Sequence, residues 1–336
     1  MKIFIMSSGG VGDVLMTTPM YREIKKKYPT AYLSVGVDQK INIDLLSSNP
    51  NIDSTFDISD YKGIIGILRL VRHLRKQNFN YCFHNHSCHR RKYTLIPYLA
   101  GIKHRIGFNR KYISSKKGYH FLSMLFTKSF NYFPGKMRRT EMNLLLLREI
   151  GIYSNNTNYD LLVKPLQFKK KYLGIHPGSN TSGKHKRWSA IKYNKLALKI
   201  INQTSIDVKI YIGPHEKELI DFFDISNKLQ TVQTKSINEL IYDISSCSYF
   251  LSNDSGLAHI SAGIKIPTIV IYGSTTKEEY ILPTKYLAIE NPNAKSNDWC
   301  LKKNAEEGIR FLKNLSVQII YDKVINFINE IECQDK

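Results

Sequence analysis

Lys2-Ile3-Phe4-Ile5-Met6 runs straight into Ser7-Ser8-Gly9-Gly10-Val11-Gly12-Asp13, and residues 13–27 then carry Val14, Leu15, Met20 and Ile24 at helical spacing. An unbroken apolar run suits a strand buried on both faces, small residues suit a tight turn, and the period of the apolar positions then changes to that of a helix. Strand, glycine loop, helix is the opening of a parallel α/β unit. The pattern restarts in the second half, with a strand at residues 172–176, a loop from Pro177 to Arg187, and a helix from Ser189 that puts Leu196, Ala197, Ile200 and Ile201 on one face. Further strands are predicted at residues 32–37, 80–83, 208–212, 249–252 and 268–272. Helices are predicted at 68–76, at 144–150 with Gly151 as its stop, after the capping box Ser236-Ile237-Asn238-Glu239, and at 317–331.

A length of 336 residues suits two domains of roughly 150 each. The polar stretch with Pro165 and Lys169-Lys170-Lys171 marks a linker, giving domains 1–163 and 172–316, a linker 164–171 and a terminal helix in 317–336. The predicted class is α/β, two Rossmann-like domains with a cleft between them. With 42% hydrophobic and 11% aromatic residues, both cores can be filled, which excludes disorder as the default. No run of 18 apolar residues exists, and the apolar start is too short for a secretory leader, so a cytoplasmic address is expected. The five cysteines are odd in number and form no Cys-x-x-Cys pair, against a disulfide framework or a zinc ribbon.

The net charge is +21, and it is unevenly placed. Residues 1–165 hold 26 Lys and Arg against 10 Asp and Glu, while residues 61–140 hold 18 Lys and Arg and no acid at all. A solvated basic face is the plain reading; nucleic acid, an acidic membrane surface or a phosphorylated substrate are the anionic partners that such a stretch suits.

Three loops can carry chemistry. The Gly9-Gly10-Val11-Gly12-Asp13 turn lacks the G-x-G-x-x-G spacing of a dinucleotide site, and its Asp13 suits a general base or a helix cap. The loop His176-Pro177-Gly178-Ser179 continues through Lys184, Lys186 and Arg187 to Trp188, placing three cations where a diphosphate leaving group needs charge stabilisation. Asn253-Asp254-Ser255-Gly256-Leu257-Ala258-His259 joins a strand to a short helix whose first N–H groups can meet phosphate, and Gly273-Ser274-Thr275 ends the next strand. His84, His86 and His89 resemble a metal cluster only loosely, and no Asp-x-Asp pair is present, so neither a metal nor a cofactor is expected.

The order of these motifs, Gly-Asp after the first strand, His-Pro-Gly with Lys-x-Trp, Asp-Ser-Gly-Leu-x-His and Pro267-Thr268-Ile269-Val270-Ile271-Tyr272-Gly273, resembles the ADP-heptose:lipopolysaccharide heptosyltransferases, glycosyltransferase family 9. Gly213-Pro214-His215-Glu216 and Arg105-Ile106-Gly107-Phe108 are lesser matches, and the likeness runs to about residue 280. The resemblance implies a GT-B fold, with the acceptor on the front domain, the donor nucleotide on the back domain, and a last helix crossing back to the front. It implies Asp13 as the base and Lys186 as the cation on the donor diphosphate. On the donor side it implies His176, Ser179, Asp254, Ser255, Gly256, Leu257 and His259, with Glu216 reaching the nucleoside, although Glu218 competes for that role. On the acceptor side stand Gly12, His84, His86, Arg90 and Arg91. His84 and His86 fill places where the family often has Asp and Gln.

The expected reaction is inverting transfer of heptose from ADP-heptose to a lipopolysaccharide inner core, without metal. Another nucleotide sugar or another acceptor is the alternative. The basic front domain is expected to meet the anionic glycolipid and the inner-membrane surface by electrostatics. A nucleic-acid-binding protein ranks lower, because it leaves the phosphate loops without a role and the chain has no recognisable RNA or DNA module.

Overall fold

The computed structural model describes residues 1–88, 90–109, 122–131, 137–166, 168–293 and 302–334. His89, Lys116, Lys117, Gln167 and Cys300 lie outside the described residues. Contacts divide the chain into two units, Met1–Leu162 and Val163–Lys336.

The first unit runs β1 (Lys2–Ser7), α1 (Val11–Leu15), α2 (Thr18–Lys27), β2 (Tyr32–Val37), α3 (Ile41–Leu46), β3 (Ser54–Asp57), α4 (Gly63–Gln77), β4 (Tyr81–His84), α5 (Arg91–Leu99), β5 (His104–Asn109), β6 (Lys128–Asn131) and α6 (Arg139–Leu146). Its six strands pair in parallel in the order β3-β2-β1-β4-β5-β6. Residues 3–6 of β1 are fully buried, as their unbroken apolar run requires. The single helix predicted over 13–27 is two helices. Thr17 donates its hydroxyl to Asp13 O at 2.8 Å, and Pro19, lacking an N–H, sits in the first turn of α2, where none is needed.

The second unit runs β7 (Tyr172–His176), α7 (Ala190–Gln203), β8 (Asp207–Tyr211), β9 (Leu229–Val232), α8 (Ile237–Ile244), β10 (Tyr249–Asn253), α9 (Gly256–Gly263), β11 (Thr268–Tyr272), β12 (Tyr286–Glu290), α10 (Lys302–Asn314) and α11 (Val317–Gln334). Its parallel order is β12-β11-β10-β7-β8-β9. Leu166 N donates to Ser245 O, tying that part of the expected linker to this unit. The apolar face of α11, with Ile320, Val324, Phe327, Ile328 and Ile331, is buried in the same core as Tyr193, Leu196 and Ile200 of α7.

In each unit the chain builds to one side of its first strand and then crosses to the other. β1 lies between β2 and β4, and β7 between β8 and β10. The loops after the two strands that flank such a reversal part from each other and leave a crevice at the carboxyl end of the sheet. Among the described residues no helix is long and apolar enough to cross a membrane.

Candidate functional site

In the first unit the reversal brings the β1–α1 turn against the loop after β4. Gly9 has φ +116°, and a Cβ there would sit 2.5 Å from Asp13 Oδ2, so this position needs glycine for its backbone and for the carboxylate folded over it. Asp13 Oδ2 accepts from Gly10 N at 3.0 Å, which makes Asp13 a cap of its own helix. Oδ1 does something else. It accepts from Ser87 Oγ at 2.6 Å, lies 2.9 Å from His86 Nε2 and 3.6 Å from Arg139 Nη1. Burial pushes the Asp13 carboxyl up, but His86, Arg139 and Ser87 together outweigh it and hold the group below the usual carboxylate range. With 24% of its side chain still exposed, the carboxylate is both ionised and reachable.

The sequence assigns His86 to the acceptor side, and the fold sets its fully buried ring against Asp13. Its backbone N and Nδ1 both face Asn143 Oδ1, at 2.8 and 3.2 Å, while Asn143 Nδ2 donates to Met16 O at 2.9 Å and so fixes the amide. Burial lowers the His86 pKa against the pull of Asp13 and Asn143, and both ring nitrogens face oxygens that accept. His84, at the end of β4, is buried with its ring edge-on to Phe126 at 4.9 Å. Gly12 lies inside α1, and Arg90 and Arg91 open α5, exposed.

The second unit repeats the plan. Lys186 Nζ lies 2.7 Å from Asp254 Oδ2, which also accepts from Thr275 Oγ1 at 3.0 Å. Burial raises the Asp254 pKa, and Lys186, His259 and Thr275 bring it below the ordinary value. Asn253, fully buried, closes the loop onto the strand: its Oδ1 accepts from Trp188 N and Tyr193 OH, and its Nδ2 donates to Pro177 O and Gly178 O.

Beside this pair opens a cavity of about 280 Å³ lined by His176, Ser179, Glu216, Ser255, Gly256 and Leu257, with Val232, Thr234 and Leu240 also on its wall. Glu216 is 6% exposed and accepts from Ser179 N at 2.7 Å and Gly213 N at 3.0 Å. A Cβ on Gly178 would collide with its carboxylate. Glu218, the rival for this place, is 53% exposed and 3.6 Å from Arg187. His176 Nδ1 faces Tyr211 O at 3.0 Å; burial draws its pKa down against Glu216. His259 is buried one turn into α9.

The family model for glycosyltransferase family 9 (heptosyltransferase) matches residues 67–309. The chain belongs to glycosyltransferase family 9. Lipopolysaccharide heptosyltransferase 2 of Escherichia coli strain K12 is 25% identical over 83% of this chain and 84% of that protein. Two solved structures share the fold over nearly the whole chain: E. coli ADP-heptose lps heptosyltransferase II, with TM-score 0.74, 19% identity and coverage of 99% and 100%, and E. coli heptosyltransferase WaaC with ADP, with TM-score 0.73, 15% identity and coverage of 97% and 100%. The fold is therefore α/β of the GT-B type, and the protein is a glycosyltransferase.

Three residues of this family 9 glycosyltransferase that hold candidate site residues do not stand out in the sequence, and a fourth, Asn253, is legible only as the first residue of the Asn253–His259 loop. Ser87 and Arg139 hold Asp13, Asn143 holds His86, and Asn253 holds the Lys186 loop. Each acts across tens of residues, which local patterning does not reveal. Among the described residues no group of three His, Cys, Asp or Glu is placed to hold a metal ion.

Proposed function

We propose that this glycosyltransferase moves heptose from ADP-heptose to a lipopolysaccharide inner core with inversion at the anomeric carbon. The names of its relatives support the donor and the acceptor, since they specify ADP-heptose and lipopolysaccharide. The observation that carries the mechanism is the Asp13 carboxylate, held ionised by His86, Ser87 and Arg139 and still open to solvent.

Asp13 takes the proton of the acceptor hydroxyl as its oxygen attacks C1, and ADP departs. A carboxylate of low basicity suffices because the hydroxyl becomes acidic only as the new bond forms. The leaving diphosphate gathers negative charge, which Lys186 and the N-terminal N–H groups of α9 are placed to offset. Ser255, Gly256 and Leu257 meet the phosphates, while the cavity bounded by His176, Ser179 and Glu216 takes the nucleoside. Asp254 and His259 orient Lys186 and the sugar. Gly12, His84, Arg90 and Arg91 serve the acceptor, whose phosphates suit the 18 cations of residues 61–140. The same cations draw the protein to the anionic cytoplasmic face of the inner membrane, each contributing about 1 kcal/mol near the surface.

A thermal-shift panel of nucleotides and nucleotide sugars tests the donor assignment, since a ligand of the native state raises the midpoint. ADP and ADP-heptose should shift it, and UDP, GDP and their sugars should not. A shift by UDP-sugars alone would replace ADP-heptose as donor, and transfer assays with dephosphorylated core would test the acceptor.

A further inference from the structure

We propose that the outer faces of α4 and α5 form an apolar insertion surface that seats the first unit in a bilayer carrying anionic headgroups, beyond the electrostatic attraction described above. The surface is unusual for a water-soluble helix pair. Ile64, Ile65 and Leu68 of α4 are 80%, 68% and 58% exposed, and Tyr98 and Leu99 of α5 are 49% and 38% exposed. Single exposed apolar residues are ordinary, but a set of large ones on adjacent helices marks an interaction surface.

The packing turns both sets to one side of the sheet. Leu70, Val71 and Leu74 of α4 and Tyr93 and Ile96 of α5 are buried in one core cluster, so the opposite faces of both helices open on the same side of the sheet. Arg75 Nη2 donates to Leu99 O at 2.7 Å and holds the C-terminal ends of the helices side by side, so Tyr98 and Leu99 flank the cationic end of α4, about 10 to 16 Å along its axis from Leu68 and Ile64. Along the outer stripe of α4, Ile65 and Leu68 give way to Arg69, Arg72, Arg75 and Lys76 at helical spacing, and Lys62 precedes the helix.

The charge selects the occupant. Apolar residues bordered by Lys and Arg, in a stretch of 80 residues without one acid, complement an interface where acyl chains lie beneath negative headgroups. Long cationic side chains reach up to the headgroups while their stems follow the apolar side chains inward. A second copy of this chain is disfavoured, because a symmetric contact through this face brings two sets of cations together.

The test uses the full-length protein and vesicles of phosphatidylethanolamine with phosphatidylglycerol, beside vesicles of phosphatidylcholine, in co-sedimentation at about 0.05 M and about 0.5 M salt. Wild type is expected to bind the anionic vesicles and to keep part of that binding at high salt. The triple variant Ile64→Ser, Ile65→Ser, Leu68→Ser is expected to lose the salt-resistant part and to partition at least about tenfold less, as loss of three inserted side chains requires. The double variant Arg69→Ser, Arg72→Ser should weaken binding chiefly at low salt. All these side chains are exposed, so unfolding midpoints and ADP affinity should match wild type, which keeps the comparison valid. A single Leu68→Trp variant adds an independent readout, and the emission of its new indole should move to the blue on adding anionic vesicles. Wild-type binding by the triple variant at both salts, or no change in the emission of the Leu68→Trp variant, overturns the proposal. So does loss of a dimer in the triple variant with vesicle binding intact, which would make the face a self-association surface, or retention of an acidic protein or nucleic acid with no vesicle binding. Turnover on a water-soluble acceptor reads the transferase activity separately, so failure of either proposal is distinguishable from failure of the other.

Discussion

His86 Nε2 lies 2.9 Å from Asp13 Oδ1, although 73 residues separate them in the chain. This contact is expected to set the acid limb of the reaction. As the proposed base, Asp13 works only when ionised, and His86 helps keep it so to low pH. Replacing His86 with Ala should let the Asp13 pKa rise, moving the acidic fall in kcat/KM to higher pH and leaving ADP affinity unchanged. His86→Gln, which keeps a donor, should restore part of the shift. A pH–rate profile that does not move would reduce His86 to a packing residue.

Asp13→Asn should cut turnover by about two to four orders of magnitude, the usual size of a lost general base. The cavity proposed for the donor is lined wholly by residues of the second unit, so ADP binding by calorimetric titration should stay within about twofold of wild type. Turnover within about tenfold of wild type would leave Asp13 as a helix cap only.

Lys186→Ala should weaken ADP binding and slow turnover together, whereas Lys184→Ala, at an exposed position of the same loop, should do little. Equal effects from the two would mean that the loop acts as a diffuse cationic patch.

Asn253→Ala removes the partner of Trp188 N, Tyr193 OH, Pro177 O and Gly178 O at a fully buried position. Each buried group left unsatisfied costs ~1–3 kcal/mol, so a loss on the order of 3 kcal/mol is expected even if water reaches some of them. Urea unfolding midpoints measure it, and a loss under about 1 kcal/mol would show that the loop closes without this residue.

The Asp254 pKa is depressed in the folded protein, so its contribution to stability is present above the unfolded value near ~3.9 and is lost as pH falls below it. Asp254→Asn should therefore flatten the decline of the unfolding midpoint between about pH 5 and pH 3. A parallel decline in wild type and variant would assign the acid sensitivity elsewhere.

Central strands are readable in the sequence where burial of both faces demands an unbroken apolar run; β5, internal to its sheet but starting His104-Arg105 and ending in Asn109, is not. β2, β7 and β11 have the residues that their apolar runs predict. The outer strands β3, β6, β9 and β12 are not, since half-covered strands such as Lys128–Asn131 carry no sustained apolar pattern. The same physics divides the site. Loops that follow central strands, with Asp13, His176 and Asp254, announce themselves locally. The residues that tune them arrive from distant helices, as Arg139 and Asn143 do, and only the fold brings them in.

Both sheets reverse beside their first strand, and this repetition bears on how such an enzyme changes over time. The residues at each reversal come from one unit, so a substitution in the loop after β4 alters the surroundings of Asp13 and none of the residues that line the cavity beside Glu216. On the proposed assignment of acceptor and donor, one reactant can be exchanged while the other is retained. Residues 84–87, where this chain carries His-Asn-His-Ser, are then the natural place for members of one lineage to diverge in what they glycosylate while drawing on the same activated sugar.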